Sequence, residues 1–140
     1  MENKRFVNAP EVMYKGYCVE NRQWAHGYLM PPHNIYFEVM MPSGELEGWD
    51  MNVEPESLAM STGRYDKDGE PIFGGDILYI THGSEAGDVQ SAYSFLWDTK
   101  LCEWSLFRID GENFIYVGNI AFKQERVINS GVTLYERSLK

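Results

Sequence analysis

Two cysteines, Cys18 and Cys102, are all that the 140 residues contain. They are too few and too far apart for a disulfide framework or a paired metal knuckle, so reduced thiols in a cytoplasmic setting are expected. Histidine is almost as scarce. His26, His33 and His82 lie in separate segments, and none has a second histidine or cysteine close enough in sequence to begin a tetrahedral metal site, so no metal or other cofactor is expected. The longest apolar runs are only a few residues, and no basic-then-apolar leader opens the chain, which predicts neither a membrane span nor a secretory signal. Positive charge is also short: Lys and Arg number 12 against 21 Asp and Glu, a formal charge of −9. A surface that negative repels phosphate backbones and forgoes the attraction that supplies most non-specific nucleic-acid affinity, so nucleic acid is a disfavoured partner. No glycine-rich phosphate loop is present, and Ser43, Ser84 and Cys102 lack a glycine-flanked nucleophile elbow. The cysteines read as core residues, because a free cysteine commonly behaves as a small apolar side chain.

Aromatic residues, by contrast, make up 14% of the chain and apolar residues 44%, enough for the core of one sheet-rich domain spanning 1–140. Residues 1–15 have no clean period and read as an irregular or short-helical lead-in. Gly16 to Met30 suits one long strand or a bent pair, ended by Pro31-Pro32 because proline donates nothing to a ladder. Ile35–Met40 and Leu46–Val53 form a hairpin across Pro42-Ser43-Gly44, after which Glu54–Ser57 makes a helical turn or a corner. His82 to Asp88 is polar with two glycines and reads as a mobile loop. Tyr93, Phe95 and Trp97, then Trp104 to Ile109, then Phe114 to Val117 form a meander. Asn119 is placed to cap a short helix from Ile120, and Val132, Leu134 and Arg137 fall on one face of a terminal strand able to pair with a sister chain. Seven or eight short strands with tight turns predict a mainly β fold, a single antiparallel sheet curled into a partly open barrel with one or two short helices.

Backbone punctuation is densest from Ser61 to Ile80. Asp68-Gly69 and Gly74-Gly75-Asp76 are both turn signals, and from Ile77 the chain is apolar. Asp66, Asp68 and Gly69 echo a calcium-loop register, but the flanking ligand positions hold Arg64 and Gly75, which leaves an ordinary hairpin turn. Asp76 is the acid that stands out, set between a two-glycine bend and a buried strand. It is either a general base or ligand contact, or it accepts the amide hydrogens of its own turn. Tyr65, Phe73, Tyr79, Tyr93, Phe95, Trp97, Trp104 and Tyr116 form an aromatic set that suits a sheet core; stacking on bases is the other use such residues find.

Val53-Glu54-Pro55-Glu56-Ser57-Leu58, Thr62-Gly63, Asp66-Lys67-Asp68-Gly69, Ile72, Gly75-Asp76-Ile77 and Val117-Gly118-Asn119-Ile120 together resemble the signature of the YopX family of phage and prophage proteins. Trp24 and Gly27 are similar to that family's early aromatic-glycine strand, so the matches span roughly residues 20 to 125. Gly74 departs from the pattern, standing where the family usually has an acid, and the tail after Val127 lies outside it. The resemblance implies a small, mostly β cytoplasmic protein encoded by phage-derived DNA in a bacterial host. It assigns Thr62, Gly63, Asp66, Gly69, Gly75, Asp76, Gly118 and Asn119 as family-motif residues with structural roles.

The expected activity is therefore non-enzymatic: self-association into a homo-oligomer, or capture of a host or phage protein through exposed sheet edges and aromatics. The alternatives are a regulator that binds or mimics nucleic acid and, further off, a small hydrolase. A cleft placing Asp76 beside His82 or a second carboxylate would mark the hydrolase.

Overall fold

The computed structural model describes residues 12–84, 87–119 and 122–139. The fold is mainly β, as the sequence predicts, with its strands divided between two antiparallel sheets and no closed barrel. The first sheet holds β1 (Tyr14–Cys18), β2 (Gln23–Met30), β3 (Asn34–Met40), β4 (Leu46–Asn52), β5 (Ala59–Tyr65) and β6 (Pro71–Phe73), in the order β4-β3-β2-β1-β5-β6. The second holds β7 (Asp76–Ser84), β8 (Gly87–Asp98), β9 (Glu103–Asp110), β10 (Asn113–Tyr116) and β11 (Val127–Thr133), in the order β10-β9-β8-β7-β11. A short helix α1 (Leu134–Ser138) follows.

The bent pair foreseen between Gly16 and Met30 is the β1–β2 hairpin. β2 pairs with β1 from Gln23 to Gly27 and with β3 from Tyr28 to Met30. Gly27 sits where the strand changes partners, and a Cβ there would lie 2.1 Å from the carbonyl oxygen of Tyr36, so no larger residue lets β3 approach this closely. The lead-in expected to reach residue 15 ends earlier, since Tyr14 and Lys15 already belong to β1; residues 1–11 lie outside the described ones. Pro31 and Pro32, joined by a cis peptide bond, close β2. The β3–β4 hairpin forms as read, and Pro55–Ser57 makes one 3₁₀ turn, its Ser57 hydroxyl accepting from the amide of Tyr17 at 2.7 Å.

The buried apolar residues gather in two clusters, and Ile72 of β6 crosses from the first sheet into the second cluster. Cys18, Ala25, Ile35 and Val53 fill the first, with Tyr14, Leu29, Phe37 and Met51 at its margin. Ile72, Leu78, Ile80, Tyr93, Phe95, Leu106 and Val127 fill the second, with Trp104 and Phe122 against it. A chain that divides its apolar residues this way satisfies two faces with small clusters instead of rolling one sheet around one core.

Three further expectations are corrected. The His82–Asp88 loop is a continuation of the β7–β8 hairpin: His82 pairs with Val89, Gly83 with Asp88 and Ser84 with Gly87, a ladder that backbone groups make whatever the side chains. The cap on a helix from Ile120 is not what Asn119 forms. Its side-chain oxygen accepts from the amide of Leu106 at 3.1 Å and its amide donates to the carbonyl of Trp104 at 2.9 Å, clasping β9; Ile120 itself lies outside the described residues. The terminal strand meant for a sister chain ends at Thr133, and β11 pairs with β7 of its own chain. Thr133 and Glu136 then form a reciprocal capping box that starts α1.

Candidate functional site

Asp76 opens β7 directly after Gly75, whose φ of +83° turns the chain into the strand. Its carboxylate is 2% exposed and fully engaged. One oxygen accepts from the amide of Phe73 at 2.9 Å and from the side-chain amide of Asn129 at 3.0 Å; the other meets the ammonium of Lys15. The amide of its own turn is thus one partner of three. Lys15 reaches Asp76 from β1, the face opposite the first core, so this ion pair joins the two sheets and is the only one among the described residues. Its ammonium also lies 4.9 Å from the Trp24 ring centre and 5.1 Å from that of Phe73, positions that shield the charge with two aromatic faces.

His26 stands opposite Lys15 in the β1–β2 ladder. The residue as a whole is exposed, but its ring meets Phe73 edge-on with centroids 5.6 Å apart and is partly desolvated. That burial first, and the Lys15 ammonium second, hold its pKa below the ordinary value, against an upward pull from Asp76. Beside this group Tyr17, Trp24 and Tyr135 meet at centroid distances of 5.4 to 6.2 Å, seating α1 on β1 and β2.

The general-base arrangement is not built. His82 lies six residues along β7 from Asp76, about 20 Å of strand, and its ring nitrogen faces the hydroxyl of Ser91 at 3.3 Å. His33 bonds the carbonyl of Val53. Two adjoining hollows of about 390 and 370 Å³ run over Gly74 and Gly75, reaching Lys15 and Tyr135 at one end and Trp97 and Trp104 at the other; neither is lined by a histidine or by Asp76. The ring of Trp104 occupies the space beside Gly74 that a larger side chain would enter. No cluster of metal-ligating side chains occurs among the described residues.

The other nominated residues shape backbone. Thr62 donates to the carbonyl of Ile72 at 2.8 Å and, with Gly63, marks the irregularity where the β5–β6 register shifts. Asp66 is buried, its carboxylate accepting from the amides of Asp68 and Glu70 at 2.9 and 3.0 Å, so it builds the hairpin turn completed by Gly69. Gly118 and Asn119 fold the end of β10 back on β9. Of the cysteines, Cys18 is buried as expected, whereas Cys102 is exposed in the β8–β9 turn with a φ of +52°, because the turn and not the core sets its position. The aromatic set is split: Phe73, Tyr93 and Phe95 are buried, Tyr65, Tyr79, Trp97 and Tyr116 exposed, and these belong to different strands instead of one continuous platform.

The feature that the sequence reading passed over is the outer end of the first sheet. β2 supports β3 only as far as Tyr36, so from Phe37 outward β3 and β4 form a ribbon two strands wide. Ile35, Phe37, Val39, Trp49 and Met51 share one face of it with Glu47, which stands opposite Val39 at the outer end. That face starts in the core at Ile35, fully buried, and runs into solvent at Val39 and Trp49, 39% and 50% exposed. The opposite face carries Tyr36, Glu38, Met40, Leu46 and Asp50. A signal was available: from Gln23 to Gly63 the chain has no lysine or arginine, while Glu38, Glu45, Glu47, Asp50, Glu54 and Glu56 are all acidic.

Compared with known proteins, the chain matches no family model and no curated protein. No helix among the described residues is long and apolar enough to cross a membrane.

Proposed function

We propose that this chain is a phage-derived, YopX-like protein-interaction module of the bacterial cytoplasm, without catalytic chemistry of its own, acting by holding another protein or a second copy of itself. The observation that carries this reading is the apolar face that leaves the first core along β3 and β4 and ends uncovered at Val39 and Trp49. Two-stranded ribbons are marginal on their own in water, and an apolar stripe on one is stabilised when something covers it. The engagement of Asp76 by Lys15, Phe73 and Asn129 supports the non-enzymatic part, since a carboxylate with three internal partners has little left for a substrate.

A photo-crosslinking side chain introduced at Trp49, and separately at Leu101 in the β8–β9 turn, tests the reading in host cells. A protein adduct specific to position 49, foreign or self, is expected. Light scattering that shows only monomer, together with equal or absent adducts at both positions, sinks it.

A further inference from the structure

We infer that the outer edge of β4 accepts an extended, basic strand of another protein as an added strand of the first sheet; this rests on the protein-binding reading and names the partner's chemistry. Four strands lie at sheet edges, and three are blunted in ways that ordinarily prevent edge pairing. β6 has three residues, β10 has four, and the β11 register breaks between Asn129 and Thr133. β4 is different. Its seven residues pair with β3 in unbroken register from Leu46 to Asn52, with no bulge, no proline and no lysine. A long, regular edge with free amide and carbonyl groups is a template for strand addition, in which main-chain hydrogen bonds supply affinity and alternate side chains supply specificity.

Charge selects the occupant. Glu47 and Asp50 lie on β4, Glu38 and Glu45 beside it, and no cation occurs between Gln23 and Gly63 to offset them. A second copy of this strand brings the same carboxylates to an edge that already carries them, and like charges brought together across a strand pair are destabilising. A strand bearing lysine or arginine meets complementary charge instead. The two faces also divide the labour. Apolar side chains of the incoming strand fall beside Trp49, on a face whose one acid is Glu47, and basic ones on the other face fall beside Asp50. The partner segment is therefore an alternating apolar and basic strand.

The probe is a short, labelled peptide of alternating valine and lysine, titrated against the full chain by fluorescence anisotropy and by amide chemical-shift perturbation. Expected are saturable binding with shifts concentrated in β4, weakening with added salt, and loss of at least tenfold in affinity both for a valine–glutamate peptide and for a valine–lysine copy N-methylated on alternate amides. Asp50→Lys is expected to weaken valine–lysine binding by a similar factor while leaving amide dispersion elsewhere unchanged, which separates lost recognition from lost folding. The inference is overturned if the methylated peptide binds as well as the parent, or if the shifts are diffuse or centre on β10 or β11. Those results leave the protein-binding reading standing, because the crosslinking at Trp49 tests that independently of strand addition.

Discussion

Lys15 and Asp76, 61 residues apart in the chain, meet as a buried ion pair that ties β1 of one sheet to β7 of the other. Desolvating two charges is costly, and the pair is stable only because Asp76 also accepts from Phe73 and Asn129 while two aromatic rings face the ammonium. Removing one partner strands the other. Asp76→Ala is expected to cost about 3–5 kcal/mol, the range for a broken buried pair, and Lys15→Met less, because Asp76 keeps two of its three partners. Urea unfolding of both variants gives the order; equal costs would mean that the Phe73 and Asn129 bonds contribute nothing.

His26 sets a pH dependence whose sign follows from its lowered pKa. The unfolded chain takes up this proton near the ordinary histidine pKa of about 6.5, while the folded chain resists until lower pH. Between those two values the unfolded state holds more protons, so the folded state loses stability as pH falls through that window and recovers it as pH rises. Thermal unfolding at pH 7.0 and 5.5 is expected to show a smaller drop in Tm for His26→Gln than for the parent. A parent with no drop, or a variant with the larger one, contradicts the placement of His26 beside Lys15.

Much of the fold was legible where local pattern and turn chemistry agree. The Ile35 to Val53 hairpin, the turn at Asp68-Gly69 and the meander from Tyr93 to Tyr116 all stand because alternation and glycine-containing turns fix them within a few residues. What was not legible is long-range. Nothing local tells Lys15 that Asp76 is its partner, or distributes the strands into two sheets. The outer β7–β8 hairpin is hidden in the sequence because His82, Gly83 and Asp88 have loop-like side chains while the ladder is made by backbone. The tail hides its helix for the opposite reason: alternation at Val132 and Leu134 suggests a strand, although Thr133 and Glu136 spell a capping box. Asp76 stands out in the sequence by its place after two glycines, and the structure adds two partners to the one its turn supplies.

Two glycines should respond differently to the same added methyl group. At Gly27 the new Cβ meets the main-chain oxygen of Tyr36 at 2.1 Å, an atom held by the β2–β3 ladder. At Gly74 it meets the end of the Trp104 ring at 2.4 Å, which can tilt toward the adjoining hollow. Gly27→Ala is expected to cost about 3 kcal/mol, the upper end for overpacking, and Gly74→Ala about 1 kcal/mol with a changed near-ultraviolet circular dichroism from the displaced indole. A costlier Gly74→Ala would show that the Trp104 ring is locked in place.

Asn119 joins the end of β10 to β9 with a carboxamide donor and acceptor that only glutamine duplicates, on a longer side chain. Asn119→Ala leaves the Leu106 amide and the Trp104 carbonyl without this partner, at about 1–3 kcal/mol for each group left buried and unpaired. Asn119→Asp keeps an acceptor for Leu106 but turns an oxygen toward the Trp104 carbonyl, so it is expected to fall no higher than the alanine variant. Hydrogen exchange at the Leu106 amide separates the two: slower in the aspartate variant than in the alanine variant. Equal exchange rates would assign the protection of that amide to something other than the Asn119 side chain.

The two thiols report on different parts of the molecule. Cys102 projects from the β8–β9 turn into solvent, whereas Cys18 is buried in the first core against Ala25, Ile35 and Val53. A thiol reagent reacts through the thiolate and needs access to it, so native protein is expected to titrate rapidly at Cys102 alone. Cys18 reacts only when the first sheet opens, and in Cys102→Ser its labelling rate as a function of urea follows the stability of that sheet. Parallel measurement of Tyr93 and Phe95 amide exchange follows the second core. If the Lys15–Asp76 pair couples the two cores, both rates share one free energy in the parent and separate in Asp76→Ala, where the first sheet opens at lower urea than the second. Identical rates in that variant would place the coupling in the remaining contacts, such as Ile72 of β6 within the second core and the Tyr17–Trp24–Tyr135 cluster that holds α1 on the first sheet.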